Sequence, residues 1–222
     1  MKNIVVIAPH PDDETLGCGG ALLKHVDAGH FVHWVIVTTM NTEDGFSCDR
    51  MNSRKLEISK VASLYNFSKV HSLGYPSMRL DEVPKRDLVN SIGKIVRTTK
   101  PEVIYLPYRN DAHSDHAAVF DTAVACTKIF RYPNIKSIRV YETLSETEFG
   151  LRSDDPGFKP NLFIEISPFL EKKIEIMKVY KSEIGEFPFP RSEVTLRAQA
   201  NLRGSQAGVM AAEAFMLLKE IQ

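Results

Sequence analysis

Two short segments of the chain concentrate side chains that can bind a metal ion and move protons. Residues 10–14 read His-Pro-Asp-Asp-Glu, and residues 111–116 read Asp-Ala-His-Ser-Asp-His. Together they supply three histidines and five carboxylates. Burying so many acidic groups costs free energy unless a cation offsets their charge. Imidazole and carboxylate together form a donor set that suits Zn²⁺.

The spacing of these donors predicts a metal site of the catalytic type. His10 and Asp13 with either His113 or His116 would give three protein ligands. A zinc ion held by three protein ligands keeps its fourth position open for water. The competing interpretation is that the acidic residues only cap the helices that follow them.

The elements around the two segments predict that they meet. Each segment follows an apolar stretch typical of a buried strand, Ile4–Ala8 for the first and Val103–Leu106 for the second, and each precedes a helical pattern. In open α/β sheets, ligands bind at the carboxyl ends of the strands. Two segments far apart in sequence can therefore line one crevice.

Strand and helix patterns alternate through most of the chain, which predicts an α/β fold with a mainly parallel sheet covered on both faces, a Rossmann-like three-layer sandwich. We expect a single domain, with an α/β core over residues 1–142 and a C-terminal extension over 143–222 packed on it. The predicted strands are 4–8, 31–37, 69–73, 102–106, 137–141 and 162–166. The predicted helices are 15–28, 49–65, 83–99, 115–130, 168–181 and 207–220.

The composition excludes several classes of protein. The 222 residues carry 28 Lys+Arg and 28 Asp+Glu, so the chain lacks the basic excess of a broad nucleic-acid binder. The three cysteines form no CxxC motif, which argues against a disulfide framework and favours a reducing compartment. The apolar run near the N-terminus is too short for a signal peptide, and no run approaches a membrane span of roughly 18 residues. We therefore expect a cytoplasmic protein.

The two motifs resemble those of a known family. APHPDDE after the first strand, with P-x-x-x-D-x-H-x-D-H after a later one, is similar to the LmbE-like or PIG-L metal-dependent deacetylases. These enzymes remove the acetyl group from N-acetylglucosaminyl conjugates. Residues 54–57 resemble the Arg/Glu helix that follows the second strand in this family, and the segments 159–167, 180–182 and 208–215 resemble the bacterial branch that includes bacillithiol-pathway enzymes. Glu183 departs from that branch, which often has Gln after the Ser.

The resemblance implies roles for the residues of both motifs. It implies three zinc ligands, His10, Asp13 and His116, although Fe²⁺ could use the same set. It implies that Asp12 is the general base, that His113 is the second acid/base group and that Asp115 orients His113. It also implies a small-molecule amino-sugar substrate and a homo-oligomer, either a trimer or a hexamer.

Candidate substrate contacts lie beside the motifs. Arg54 could clamp a phosphate, carboxylate or sugar hydroxyl, because its guanidinium presents a planar fork of donors. The alternative for Arg54 is a helix-surface ion pair with Glu57 at i+3. Tyr108 and Arg109 precede the second motif and could line the same pocket.

Three other functions fit parts of the pattern. Gly17, Gly19 and Gly20 suggest a dinucleotide-binding oxidoreductase, but their spacing is not G-x-G-x-x-G and they more plausibly allow close helix–strand packing. A sugar-binding module that lost catalysis would keep the fold, although the intact Asp12 argues against it. A zinc hydrolase of another amide, ester or phosphoester would use the same ligands.

Overall fold

The computed structural model describes residues 1–151 and 153–222 and contains one seven-stranded sheet. The strands are β1 Asn3–Ala8, β2 Phe31–Thr39, β3 Lys69–Pro76, β4 Val103–Pro107, β5 Ser137–Tyr141, β6 Leu162–Glu165 and β7 Ala212–Glu220. The α-helices are α1 Asp13–Asp27, α2 Cys48–Tyr65, α3 Lys85–Thr99, α4 Ser114–Ala125, α5 Leu170–Met177 and α6 Glu193–Ala207. Short 3₁₀ turns cover Leu80–Glu82 and Ser167–Phe169.

The sheet is mainly parallel, in the order β3-β2-β1-β4-β5-β7-β6. The strands β1 to β5 pair in parallel, whereas β7 pairs antiparallel with both β5 and β6. The predicted α/β class with a mainly parallel sheet is therefore confirmed. Both strands of the C-terminal extension belong to this same sheet.

The central strand β1 is buried on both faces because helices cover both sides of the sheet. Ile4 and Val6 pack in a core with α1 and α2, while Val5 and Ile7 pack in a second core with α3 and α4. A strand without a solvent face needs a continuous apolar sequence, which is what Ile4–Ala8 provides. This burial fixes the carboxyl end of β1, where the first motif begins.

The prediction of a helix over residues 207–220 is wrong. Ala212–Glu220 is strand β7, which lies between β5 and β6 in the sheet. The stretch is rich in Ala, Glu, Leu and Met, which favour a helix in isolation. Pairing with two strands and burial of its first half override that preference.

Helix α6 is an element that the sequence reasoning did not predict. Its ends carry recognisable signals, because the Ser192 side chain accepts a hydrogen bond from the Thr195 N–H and Gly208 follows with φ +72°. Helix α4 also ends earlier than predicted, at Ala125 rather than residue 130.

The glycines after the first motif bring α1 close to the sheet and its neighbours. A Cβ on Gly17 would lie 2.2 Å from the Tyr141 ring of β5, and one on Gly20 would lie 2.6 Å from Ile166. These glycines therefore serve helix packing, as the sequence reasoning favoured over a dinucleotide loop. The three cysteines are free, and among the described residues no helix is long and apolar enough to cross a membrane.

Candidate active site

The first motif forms the turn between β1 and α1, and Asp12 has an unusual backbone there. Its φ of +136° is rare for a residue with a Cβ. The Asp12 N–H donates to Glu14 Oε2 at 3.0 Å, and the Asp12 carbonyl accepts from the N–H groups of Thr15 and Leu16. Strained backbone of this kind is concentrated at functional sites, where surrounding contacts maintain it.

The second motif forms the turn between β4 and α4. His113 is the N-cap of α4, and its Nδ1 accepts a hydrogen bond from the Asp115 N–H at 3.1 Å. The cap is therefore the histidine and not the aspartate. His116, in the first turn of the helix, is fully buried and its Nδ1 lies 2.7 Å from Asp111 Oδ2.

The structure brings the three predicted metal ligands together. Donor atoms of His10, Asp13 and His116 lie within 4.8 Å of one another. Asp13 is the centre of the group, with Oδ2 3.3 Å from His10 Nδ1 and Oδ1 3.4 Å from His116 Nε2. Within the described residues, the buried His116 Nε2 makes no hydrogen bond. An unpartnered imidazole nitrogen beside a carboxylate and a second imidazole fits a zinc ion.

A second group of possible ligands, His10, His113 and Asp115, also lies within 4.8 Å. The Asp115 carboxylate, however, already accepts hydrogen bonds from the backbone N–H groups of Met78 at 2.8 Å and Leu80 at 3.3 Å. The group with the unpartnered nitrogen therefore fits a metal ion better.

The surroundings of His10 stabilise a positive charge. Burial alone would lower the pKa of His10, but hydrogen bonds to Asp115 and Asp13 and the charge of Asp13 raise it to about 9. His113 behaves differently, because burial and the neighbouring His10 lower its pKa to about 4. His113 is thus neutral near pH 7, with Nδ1 acting as an acceptor.

Asp115 contacts a different histidine from the one that the family resemblance implied. Its Oδ2 lies 3.0 Å from His10 Nε2 and 3.9 Å from His113 Nδ1. The side chain of Asp115 therefore contacts His10 more closely than His113. The backbone N–H of the same residue contacts His113.

Asp12 is buried beside the proposed ligands and pairs with an arginine. Arg191 Nη1 lies 3.0 Å from Asp12 Oδ2, and the same guanidinium contacts Ser145 Oγ at 2.6 Å and Glu146 at 3.4 Å. Burial and the charge of Asp13 raise the pKa of Asp12 well above its usual range, while the charge of Arg191 opposes that shift.

A cavity of about 180 Å³ opens onto these groups. Asp12, Asp13, His10 and His113 line it, together with Met40, Met78, Glu146, Glu183 and Arg191. Sequence reasoning did not select Glu146 or Arg191. They lie in loops after β5 and before α6, without a local motif, so no signal in one sequence marks them.

The predicted substrate contacts lie outside the group that lines the cavity. Arg54 is buried, donates to the Pro11 carbonyl at 2.7 Å and pairs with Glu57 at 3.1 Å and with Glu183. The alternative ion pair with Glu57 is thus present.

The other two predicted contacts also have partners within the protein. The Tyr108 hydroxyl donates to Asp155 at 2.7 Å. Arg109 pairs with Asp121 at the surface, also at 2.7 Å.

Comparison with known proteins identifies the family to which this chain is similar. The family model described as PIG-L, GlcNAc-PI de-N-acetylase, matches residues 5–127, which include both motifs. The diacetylchitobiose deacetylase of Thermococcus kodakarensis is 27% identical over 222 residues, covering 96% of this chain and 82% of that protein.

Solved structures of known proteins share the fold, including those of a deacetylase and a hydratase. The N,N'-diacetylchitobiose deacetylase of Pyrococcus horikoshii has a TM-score of 0.79 at 24% identity, covering 98% of this chain and 84% of that one. GalB, the 4-carboxy-2-hydroxymuconate hydratase of Pseudomonas putida, has a TM-score of 0.76 at 18% identity, covering 100% and 98%. Because the family model spans more than half of the chain and both motifs, this protein belongs to the PIG-L family.

Proposed function

We propose that this protein is a metal-dependent N-deacetylase that hydrolyses the acetamido group of a small N-acetylated amino sugar. The observation that carries the proposal is the buried, unpartnered Nε2 of His116 beside Asp13 and His10, with Asp12 immediately before Asp13 in the chain. Support for an amide as the target comes from the family and from the diacetylchitobiose deacetylase to which the chain is similar.

His10, Asp13 and His116 would hold Zn²⁺, and Fe²⁺ could use the same donors. When bound, zinc supplies a Lewis acid that lowers the pKa of water to about 7. Asp12 cannot easily share the metal with its neighbour Asp13, because adjacent side chains diverge. Its carboxylate is therefore free to act as the base.

Asp12 accepts the proton that the attacking water loses as the water oxygen bonds to the amide carbon. General-base assistance of this kind contributes ~10²–10⁴-fold to the rate. The C–N bond then breaks, the leaving nitrogen takes from Asp12 the proton that Asp12 accepted from the water, and acetate and a free amine are released. The trimer or hexamer and the cytoplasmic location remain predictions from the resemblance and the sequence.

A second candidate is the addition of water to a different bond. GalB shares the fold and is a hydratase, so the architecture alone does not determine which bond reacts. A hydratase would add water to its substrate without releasing an amine. Amine release is therefore the measurement that separates the two.

The test combines metal analysis with an amine-release assay on a panel of N-acetylglucosamine conjugates, with mass spectrometry to detect loss of acetyl. Asp12→Ala should retain zinc while its activity drops at least ~10²-fold. His116→Ala should lose both zinc and activity. Full activity in either variant would refute the role assigned to that residue, and absence of amine release across the panel would refute the deacetylase.

A further inference from the structure

Three guanidinium groups converge on one carboxylate at the edge of the cavity. Glu183 Oε1 lies 2.9 Å from Arg50 Nη2 and also pairs with Arg54, and Glu183 Oε2 lies 3.1 Å from Arg191 Nη1. Arg50 and Arg54 are one turn apart on α2, so they share a face of that helix. Arg191 comes from the loop that precedes α6.

A cluster of this kind is the arrangement with which proteins bind a carboxylate or phosphate of a ligand. The forked donors of arginine match both groups and form charge-assisted hydrogen bonds with them. In this chain the cluster is filled from within, because Glu183 supplies the carboxylate. Its side chain is 22% exposed and lines the same cavity as Asp12.

The other charged residues of the cavity wall also disfavour a negatively charged ligand. Asp12, Asp13, Glu146 and Glu183 line the cavity, and Arg191 is the one arginine or lysine among the described lining residues, which also include His10. Arg191 is itself paired with Asp12 and Glu183. A negatively charged substrate would therefore find no unpaired arginine in the described wall and would face several carboxylates.

We propose that Glu183 is a specificity-determining residue that makes the site select amino sugars with an uncharged aglycone over those with a phosphate or carboxylate aglycone. The inference rests on the proposed deacetylase function. Glu183 forms ion pairs with Arg50, Arg54 and Arg191, so that these guanidinium groups are not available to an anionic aglycone. Its negative charge also repels an anion placed at the cavity edge.

The test uses two substrates that differ only in the substituent at C1, the uncharged methyl N-acetyl-α-glucosaminide and the anionic N-acetyl-α-glucosamine 1-phosphate. We expect wild type to favour the methyl glycoside. In Glu183→Gln the ratio of kcat/KM values should shift at least about tenfold toward the phosphate, equivalent to about 1.4 kcal/mol. Glu186→Gln removes the same charge from an exposed position three residues further on and should change the ratio less than about twofold. An unchanged ratio in Glu183→Gln would overturn the inference.

Binding of the deacetylated analogues separates this inference from the proposed function. Calorimetry with α-glucosamine 1-phosphate and methyl α-glucosaminide requires no turnover. If no acetylated sugar is hydrolysed but Glu183→Gln still gains phosphate affinity relative to wild type, the deacetylase proposal fails and the role of Glu183 stands. If the acetylated sugars are hydrolysed and Glu183→Gln changes neither the ratio of kcat/KM values nor the ratio of affinities, the deacetylase proposal stands and the role of Glu183 is refuted.

If Glu183→Gln does not fold, the proposal can still be tested with Arg50→Gln, which should change the substrate preference in the opposite direction. Arg50 is 31% exposed at its side chain, so its replacement should leave the fold intact. In Arg50→Gln, Glu183 is less neutralised, and discrimination against the phosphate substrate should increase about two- to fivefold by the Coulomb estimate for a surface pair. Lys55→Gln removes an exposed cation from the same helix and controls for net charge. Equal effects of Arg50→Gln and Lys55→Gln would contradict the proposal.

Discussion

Asp111 Oδ2 lies 2.7 Å from Nδ1 of His116, and both side chains are buried. An N–H group on Nδ1 that donates to this carboxylate places the lone pair on Nε2, which faces Asp13. Thr147 donates to the other oxygen of Asp111 at 2.6 Å, so the carboxylate itself is held in place. Asp111 therefore determines which nitrogen of His116 is available to a metal ion.

Replacing Asp111 with Asn should weaken metal binding about 10- to 100-fold, the usual cost of losing a carboxylate that orients a ligand histidine. The charge that favours the Nδ1–H form of His116 disappears, while the shape of the side chain is retained. Competition between the metal-free protein and a chromophoric chelator for zinc measures the effect.

Asp121→Asn is the matched control for this change, because Asp121 lies on the same helix as His116 and pairs with Arg109 at the surface. Its zinc affinity should equal that of wild type. Equal zinc affinities for wild type and Asp111→Asn would show that Asp111 does not orient His116.

Much of the parallel half of the sheet could be predicted because its signals are local. The run Ile4–Ala8 is apolar at every position, and burial on both faces requires that pattern. The two motifs follow strands β1 and β4, which are adjacent and parallel, so their convergence follows from topology. Sequence reasoning consequently placed His10, Asp13 and His116 correctly in one cluster.

The C-terminal part could not be predicted as well because tertiary contacts decide its structure. Strand β7 has the composition of a helix and becomes a strand through pairing with β5 and β6. Glu146 and Arg191 reach the cavity from loops, and their positions depend on how the extension packs against the core. A single sequence carries no periodicity or motif for such long-range contacts.

Gly17→Ala should lower the free energy of unfolding by about 1–3 kcal/mol, the typical cost of overpacking a dense core. The new methyl group would lie 2.2 Å from the ring of Tyr141, which is fully buried and donates from its hydroxyl to the Ile7 carbonyl. Urea denaturation measures the change. In a Tyr141→Leu background the same substitution should cost clearly less, and strict additivity of the two changes would contradict a direct clash.

The lowered pKa of His25 predicts that the free energy of unfolding decreases as the pH falls. Burial and the charge of Arg139 lower the pKa of His25 to about 3 from its ordinary value of 6.5. The unfolded chain therefore binds a proton that the folded chain does not, and this contribution to stability is complete above pH 6.5 and is lost as the pH falls toward 3. Between pH 7 and pH 5 the single group accounts for about 2 kcal/mol.

The variant His25→Gln isolates that contribution, because glutamine can hydrogen-bond to the Tyr105 hydroxyl, as His25 does at 2.9 Å, but does not titrate. Its free energy of unfolding should fall less than that of wild type between pH 7 and pH 5. Parallel stability curves for the two proteins would show that His25 is not the group responsible.

Arg191→Lys should lower kcat about 10- to 100-fold while zinc content and melting temperature stay near those of wild type. The guanidinium contacts Asp12, Glu146 and Ser145 at once, and the single ammonium of lysine cannot span these positions. Asp12 then keeps a nearby positive charge but loses its fixed orientation, and small misplacements of a reacting group cost factors of this size. Steady-state kinetics together with metal analysis measures the effect. The control is Arg197→Lys, which replaces the guanidinium of a surface arginine on α6. A rise in KM with kcat unchanged would instead place Arg191 in substrate binding alone.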